Sequence, residues 1–173
     1  MISRGNDKQA IYLDDFDFGG FLVLLARVAL KKRWCLLTYC LMTNHYHLIL
    51  QIPHGGLSDG MRELNGGYSR QTNGRYGRSG HVLNNRFSAE LIDSEAHLLN
   101  ACGYVVCNPL RAGLCRRLED WPWSSYRACA GLALAPSFLA VGELLGFFGR
   151  VPQDAQAAYR AFVSSGHVRC QTP

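Results

Sequence analysis

The sequence predicts an α+β fold built on an antiparallel sheet, and three observations carry that prediction. Residues 34–41 form a β-prone run of apolar and aromatic side chains. After a short turn at 42–44, residues 45–52 alternate, with His45, His47, Ile49 and Gln51 on one side and Tyr46, Leu48, Leu50 and Ile52 on the other. Period two marks a strand with two unlike faces, and so short a connection makes the two strands antiparallel. The third observation is helical spacing on either side of this pair.

The elements follow in order. Residues 16–32 set Phe21, Leu24, Leu25, Val28 and Ala29 at helical intervals and end in Lys31-Lys32-Arg33, cations that suit a helix C-terminus. The two strands come next. Residues 57–76 read as a second helix in which Gly66-Gly67 is a weak point. A loop over 77–82 leads to a third strand over 86–92. Asp93 or Ser94 then caps a helix running to about Cys107, where Asn108-Pro109 disfavours continuation. Residues 121–126 form a compact turn, and helical segments follow near 136–148 and 154–164. The order α-β-β-α-β-α lacks the strand that opens a four-stranded split βαβ sheet. Residues 3–6 read as the exit of a strand, so the first strand is expected to be shortened or missing, leaving an unpaired edge.

Composition narrows the class. With 173 residues, 48% hydrophobic and 18% charged, the chain can bury a core and is neither disordered nor fibrous. The first apolar run, residues 19–30, is only 12 residues long and carries Arg27, too short for a membrane span. Seven cysteines (35, 40, 102, 107, 115, 129 and 170) without a CxxC pair point to reduced thiols in a cytoplasmic protein. The net charge is +5, and its placement is informative. From Leu64 through Ala89 there are four arginines (70, 75, 78 and 86) and no acids, so this segment carries +4 of the +5. Arginine forks bind phosphate and the interleaved Tyr68 and Tyr76 can stack on bases, a pattern suited to single-stranded or structured nucleic acid.

Two features bear on chemistry. On a strand, His45 and His47 point to one face roughly 6.5–7 Å apart, a spacing at which two imidazoles can share a divalent ion. Tyr104 and Asn108 lie four apart on a helix and share a face, so Asn108 could offer an amide oxygen beside the Tyr104 phenol. Spacing alone equally describes a core tyrosine and a C-terminal cap.

With these features in order, the sequence resembles the REP-associated tyrosine transposases, single-tyrosine enzymes with a histidine–hydrophobic–histidine signature. The matching residues are Ile2 through Gln9, Leu41-Met42-Thr43-Asn44-His45-Tyr46-His47-Leu48, Gly80-His81-Val82 with Arg86-Phe87, Tyr104 through Asn108-Pro109-Leu110-Arg111-Ala112-Gly113, and Trp121-Pro122-Trp123-Ser124-Ser125-Tyr126. The resemblance implies a ferredoxin-like antiparallel sheet with helices on one face, as a catalytic domain over 1–128 and a C-terminal helical extension over 129–173. It implies Mg²⁺ or Mn²⁺ held by His45, His47 and Asn108, with Tyr104 as nucleophile. The activity implied is cleavage and strand transfer of single-stranded DNA through a 5′-phosphotyrosine at hairpin (REP-like) ends, with Arg70, Arg75, Arg78, Arg86, Tyr68 and Tyr76 along the DNA path. A hairpin-binding relative without catalysis is the alternative, motivated by the short N-terminal strand. Whether the chain acts as monomer or homodimer stays open at this level.

Overall fold

The computed structural model describes residues 1–84 and 86–165; Cys170 of the cysteine inventory lies outside them. Its elements are β1 (Ile2–Arg4), α1 (Asp15–Lys32), β2 (Cys35–Leu41), β3 (His45–Gln51), α2 (Leu57–Tyr76), α3 (Glu95–Arg111), α4 (Tyr126–Cys129), α5 (Val141–Leu145) and α6 (Pro152–Ser164). Helix α1 starts where the Asp14 carboxylate accepts from the Asp17 amide and stops where Arg33 turns left-handed at φ 53°.

The sheet is antiparallel with order β1-β3-β2, so the histidine strand lies in the middle. The first strand is shortened, as expected, and not missing, so the edge of β3 is paired. Three residues of β1 pair with β3 in the register Ile2↔His47, Ser3↔Tyr46 and Arg4↔His45. The expected strand over 86–92 does not form. Ile2 and Ser88 exchange two backbone hydrogen bonds of 2.9 Å each, Asn84 N donates to Arg4 O, and Asn6 N donates to Val82 O. A three-residue partner supports these isolated bridges along its outer edge and no longer ladder.

Both faces of β3 are covered, because Tyr46 and Leu48 on one side and His47 and Ile49 on the other are all buried. On the first face, Tyr46 packs against Phe21 of α1 at 4.6 Å between ring centroids, and Phe21 against Tyr68 of α2 at 5.2 Å. Helices α1 and α2 lie close there: a Cβ on Gly67 would sit 2.9 Å from a Leu24 methyl carbon, so the glycine that looked like a weak point is where the helices touch. On the second face lies α3, with Tyr104 against His47. Helices therefore occupy both faces, whereas the resemblance implied one. A strand buried on both sides requires cover on both.

Helix α3 begins as read, with the Ser94 hydroxyl accepting from His97 N, but it runs through Asn108-Pro109 to Arg111. Gly113, at φ 69°, follows its end. The C-terminal helices join the same core. Ala140 N donates to Leu36 O at 2.8 Å, and buried Tyr159 packs on Tyr126 and Phe148. Among the described residues no helix is long and apolar enough to cross a membrane.

Candidate active site

The seam between β3 and α3 joins the residues that sequence spacing could not bring together. The His45 and His47 rings are 5.0 Å apart at their centroids, and the His47 ring stands edge-on to Tyr104 at 6.1 Å and 89°. His45 and His47 share a face because β3 alternates. Tyr104 reaches them because α3 lies across that face.

Each imidazole is held in a state that leaves a lone pair. The Asn44 side chain donates from Nδ2 to Lys8 O at 3.0 Å, which turns its Oδ1 toward His45 Nδ1 at 2.7 Å. An amide oxygen can only accept, so the His45 proton sits on Nδ1 and Nε2 is free. His47 Nε2 is buried and has no hydrogen-bond partner among the described residues. Burial, with Arg4 contributing, lowers His45 to about 4. Burial lowers His47 to about 3, reinforced by His45, the N-terminal ammonium and Arg4. Both rings are therefore neutral near pH 7, the form in which imidazole binds a metal.

The donor chemistry fits a divalent cation. A buried imidazole nitrogen without a partner is the kind of unmet acceptor that a bound ion satisfies. Asn108 Nδ2 donates to Tyr104 O at 3.0 Å and Val105 O at 3.3 Å, which leaves Oδ1 as the oxygen it could offer. Among the described residues no three His, Cys, Asp or Glu side chains converge, so a third protein ligand would come from outside those types.

Sequence reasoning missed several neighbours. Arg111 places its guanidinium 5.1 Å from the Tyr104 ring centroid, and Arg4 is the cross-strand partner of His45. Asn44 stands in the sequence as part of a turn and of the matching motif, and its contact with His45 is a property of the fold. A cavity of about 450 Å³ opens beside His47 and Tyr104, with His97 and Asn100 of α3 in its wall. The i, i+4, i+8 row Asn100, Tyr104, Asn108 was visible in the sequence, but its N-terminal member carried no meaning until the cavity was seen.

The expected DNA-binding set divides. Arg70, Arg78 and Arg86 are exposed. Tyr68 is removed from the set: it is fully buried, its hydroxyl donates to Ile11 O at 2.6 Å, and it has no face to offer a base. Arg75 is already engaged, paired with Asp14 at 2.6 Å and with buried Asp17 at 2.5 Å, and its guanidinium lies 4.5 Å from the Phe16 ring centroid. That pairing pulls the Asp14 carboxyl down to about 2. Tyr76 donates its hydroxyl to Asp17 at 2.9 Å, and its ring lies under Arg78 at 5.6 Å. A stretch free of acids along the chain meets two of them in space.

The site thus places a histidine pair on a central strand opposite a tyrosine on a crossing helix. The chain belongs to the IS200-like transposase family, whose match spans residues 15–106 and includes His45, His47 and Tyr104 while stopping two residues before Asn108. It is similar to the REP-associated tyrosine transposase of Haemophilus influenzae (strain ATCC 51907 / DSM 11121 / KW20 / Rd), with 28% identity over 99 residues, 50% of this chain and 56% of that protein. The chain thus matches a little over half the length of this relative. Its fold matches a solved REP-associated tyrosine transposase bound to a REP hairpin, with a TM-score of 0.62, 18% identity, and coverage of 78% of this chain and 79% of the other.

Proposed function

We propose that this chain cleaves and rejoins single-stranded DNA at hairpin ends through a 5′-phosphotyrosine on Tyr104. The observation that supports this most is the seam itself, where His45, His47 and Tyr104 stand in sequence with centroids 5.0 and 6.1 Å apart. In this reading His45, His47 and Asn108 would hold Mg²⁺ or Mn²⁺. When bound, such an ion would neutralise charge on the scissile phosphate.

The chain's own residues do the rest. Tyr104 Oη attacks phosphorus, the P–O3′ bond breaks, the phenolic proton is lost, and the departing oxygen gains a proton to become a 3′-hydroxyl. One phosphodiester replaces another, so a 3′-hydroxyl can reverse the step without an external energy source. Neutral His45 and His47 supply no proton at pH 7. Their role is to bind, with Asn44 keeping the proton of His45 away from the ligating nitrogen. Arg70, Arg78 and Arg86 would follow the DNA backbone, with Tyr76 beside Arg78. In this scheme 1–128 forms the catalytic unit and 129–173 is a C-terminal extension that meets β2 through Ala140.

The test is to incubate the protein with labelled hairpin DNA bearing single-stranded flanks, with Mn²⁺, and to look for a covalent adduct. Tyr104→Phe should abolish the adduct while hairpin binding persists. Adducts of equal yield from Tyr104→Phe would refute the nucleophile assignment. Salt-dependent binding by the wild type with no adduct across many hairpin ends would leave a DNA-binding protein without catalysis.

A further inference from the structure

We propose that the outer face of α1 is a self-association surface, on which a second copy of this chain docks with the two α1 helices antiparallel about a two-fold axis at Val23. The inference stands apart from the strand-transfer reading above. Three large apolar residues of this helix face solvent: Phe16 is 65% exposed, Val23 65% and Leu30 83%. They stand seven residues apart and so form one stripe about 21 Å long. Gly19 and Ala26 lie between them on the same stripe, both half-buried. Single exposed apolar residues need no explanation, but a seven-residue repeat of large and small positions is the pattern by which one helix seats against another.

The core does not account for the stripe. The inner side of α1 carries Phe21, Leu25 and Val28, all fully buried. Its flank is taken by α2, where Lys31 meets Glu63 and Leu24 meets Gly67. Gly19 belongs to neither contact. A Cβ there would meet nothing within 4 Å, so the fold itself does not require a glycine, and glycine weakens a helix interior. A bare backbone at this point lets a second helix approach closely.

Symmetry and charge identify the occupant as another copy. In an antiparallel pair about Val23, Phe16 faces Leu30, Gly19 faces Arg27 and Asp15 faces Lys31, each twice. Large meets large, the bare backbone receives the long arginine stem, and an acid meets a base. Asp15 and Arg27 are exposed and have no ion pair among the described residues. Lys31 bonds both oxygens of Glu63, and its ammonium has a third donor. With acids in the first turn of α1 and bases in the last, a parallel pairing would set like charges together. Helix α1 covers the Tyr46 face of the sheet while Tyr104 lies on the His47 face, so both seams stay open in the dimer and point apart. Under the strand-transfer reading, one dimer would hold two DNA ends.

The experiment is sedimentation equilibrium of the full chain without DNA. One helix face is smaller than a standard interface, so the dimer is weak and the concentration range is about 5 to 500 µM. Wild type should pass from monomer toward dimer across it. Val23→Asp, at an exposed position counted twice on the axis, should raise the dissociation constant by about 10-fold or more with the urea midpoint unchanged. Asp15→Lys should raise it roughly 3- to 30-fold, and adding Lys31→Glu should restore it. Residues 15 and 31 lie about 24 Å apart on one helix, so such a rescue acts only between copies. Val23→Cys should cross-link to itself under mild oxidation faster than Leu134→Cys, which is 98% exposed and off the stripe. A wild type monomeric throughout the range overturns the proposal and leaves the face to a partner of another kind. A dimer indifferent to Val23→Asp, an Asp15→Lys defect that Lys31→Glu does not restore, or equal cross-linking of the two cysteine variants overturns it as well.

Discussion

Asn108 performs a structural task that can be separated from any part in metal binding. Pro109 lacks the N–H that would donate to Val105 O, and its ring crowds that carbonyl. The Asn108 amide supplies the missing donor at 3.3 Å and also bonds Tyr104 O at 3.0 Å, so α3 continues to Arg111. Asn108→Ala removes the substitute donor and leaves a carbonyl of a buried residue unmet, at a cost of about 1–3 kcal/mol. Alanine's better helix propensity returns about 0.5 kcal/mol. The net loss should be roughly 1–2 kcal/mol, read as a fall of about 2–8 °C in Tm. Pro109→Ala restores a backbone donor to the same carbonyl, so in that background Asn108→Ala should cost about 0.5 kcal/mol or less. Urea unfolding of the wild type, both single variants and the double variant measures the coupling, expected near 1 kcal/mol. Additivity within about 0.3 kcal/mol would refute the account.

Four further outcomes are expected. Arg70→Gln, Arg78→Gln and Arg86→Gln should each lower the salt dependence of hairpin binding by about one counterion without changing stability. Arg75→Gln should instead destabilise the fold, because buried Asp17 then keeps, among the described residues, Leu13 N and the Tyr76 hydroxyl as partners; an Arg75 variant as stable as wild type would contradict this division. Asn44→Leu should free His45 from its fixed tautomer and weaken Mn²⁺ binding by titration calorimetry, with both histidines still in place. Unchanged nitrogen chemical shifts of the His45 ring would remove Asn44 from that role. Stability should fall between pH 7 and pH 5. Both histidines have folded values far below the ordinary 6.5, so only the unfolded chain takes up their protons in that window, and stability present above 6.5 is lost as pH falls toward about 4 and about 3. A urea midpoint that is flat from pH 7 to 5 would contradict the burial of the pair.

The legible parts of the fold are those set by local pattern. Helix α2 occupies the residues expected from its spacing, and β3 starts at His45, because periodicity along a segment is a property of that segment. The parts that were not legible depend on partners far away in the chain. Residues 3–6 show the exit of a strand, but the pairing of β1 with β3 is set by residues far along the chain. Tyr68 sits among arginines and looks like a surface residue, yet it follows the buried stripe of α2. The pairing of Arg75 with Asp14 joins residues 61 apart, and nothing near either one indicates it. Asn108-Pro109 was read as a stop because the breaker is obvious and its remedy is a side chain acting on the preceding turn. At the site, the histidines and Tyr104 could be chosen from the sequence, while Asn44 and Asn100 needed coordinates.

The three-residue link between β2 and β3 places both histidines in a contact formed early and locally. Tyr104 is joined to them only by closing a loop of some 57 residues, which is slower and entropically dearer. If α3 undocks before the β2–β3 pair melts, the histidine pair persists without Tyr104. Amide exchange that is faster in α3 than in β2 and β3 would reveal such an opening. It would make the grip on DNA and the capacity to cut it separable within one native chain, governed by how firmly a single helix rests on the sheet.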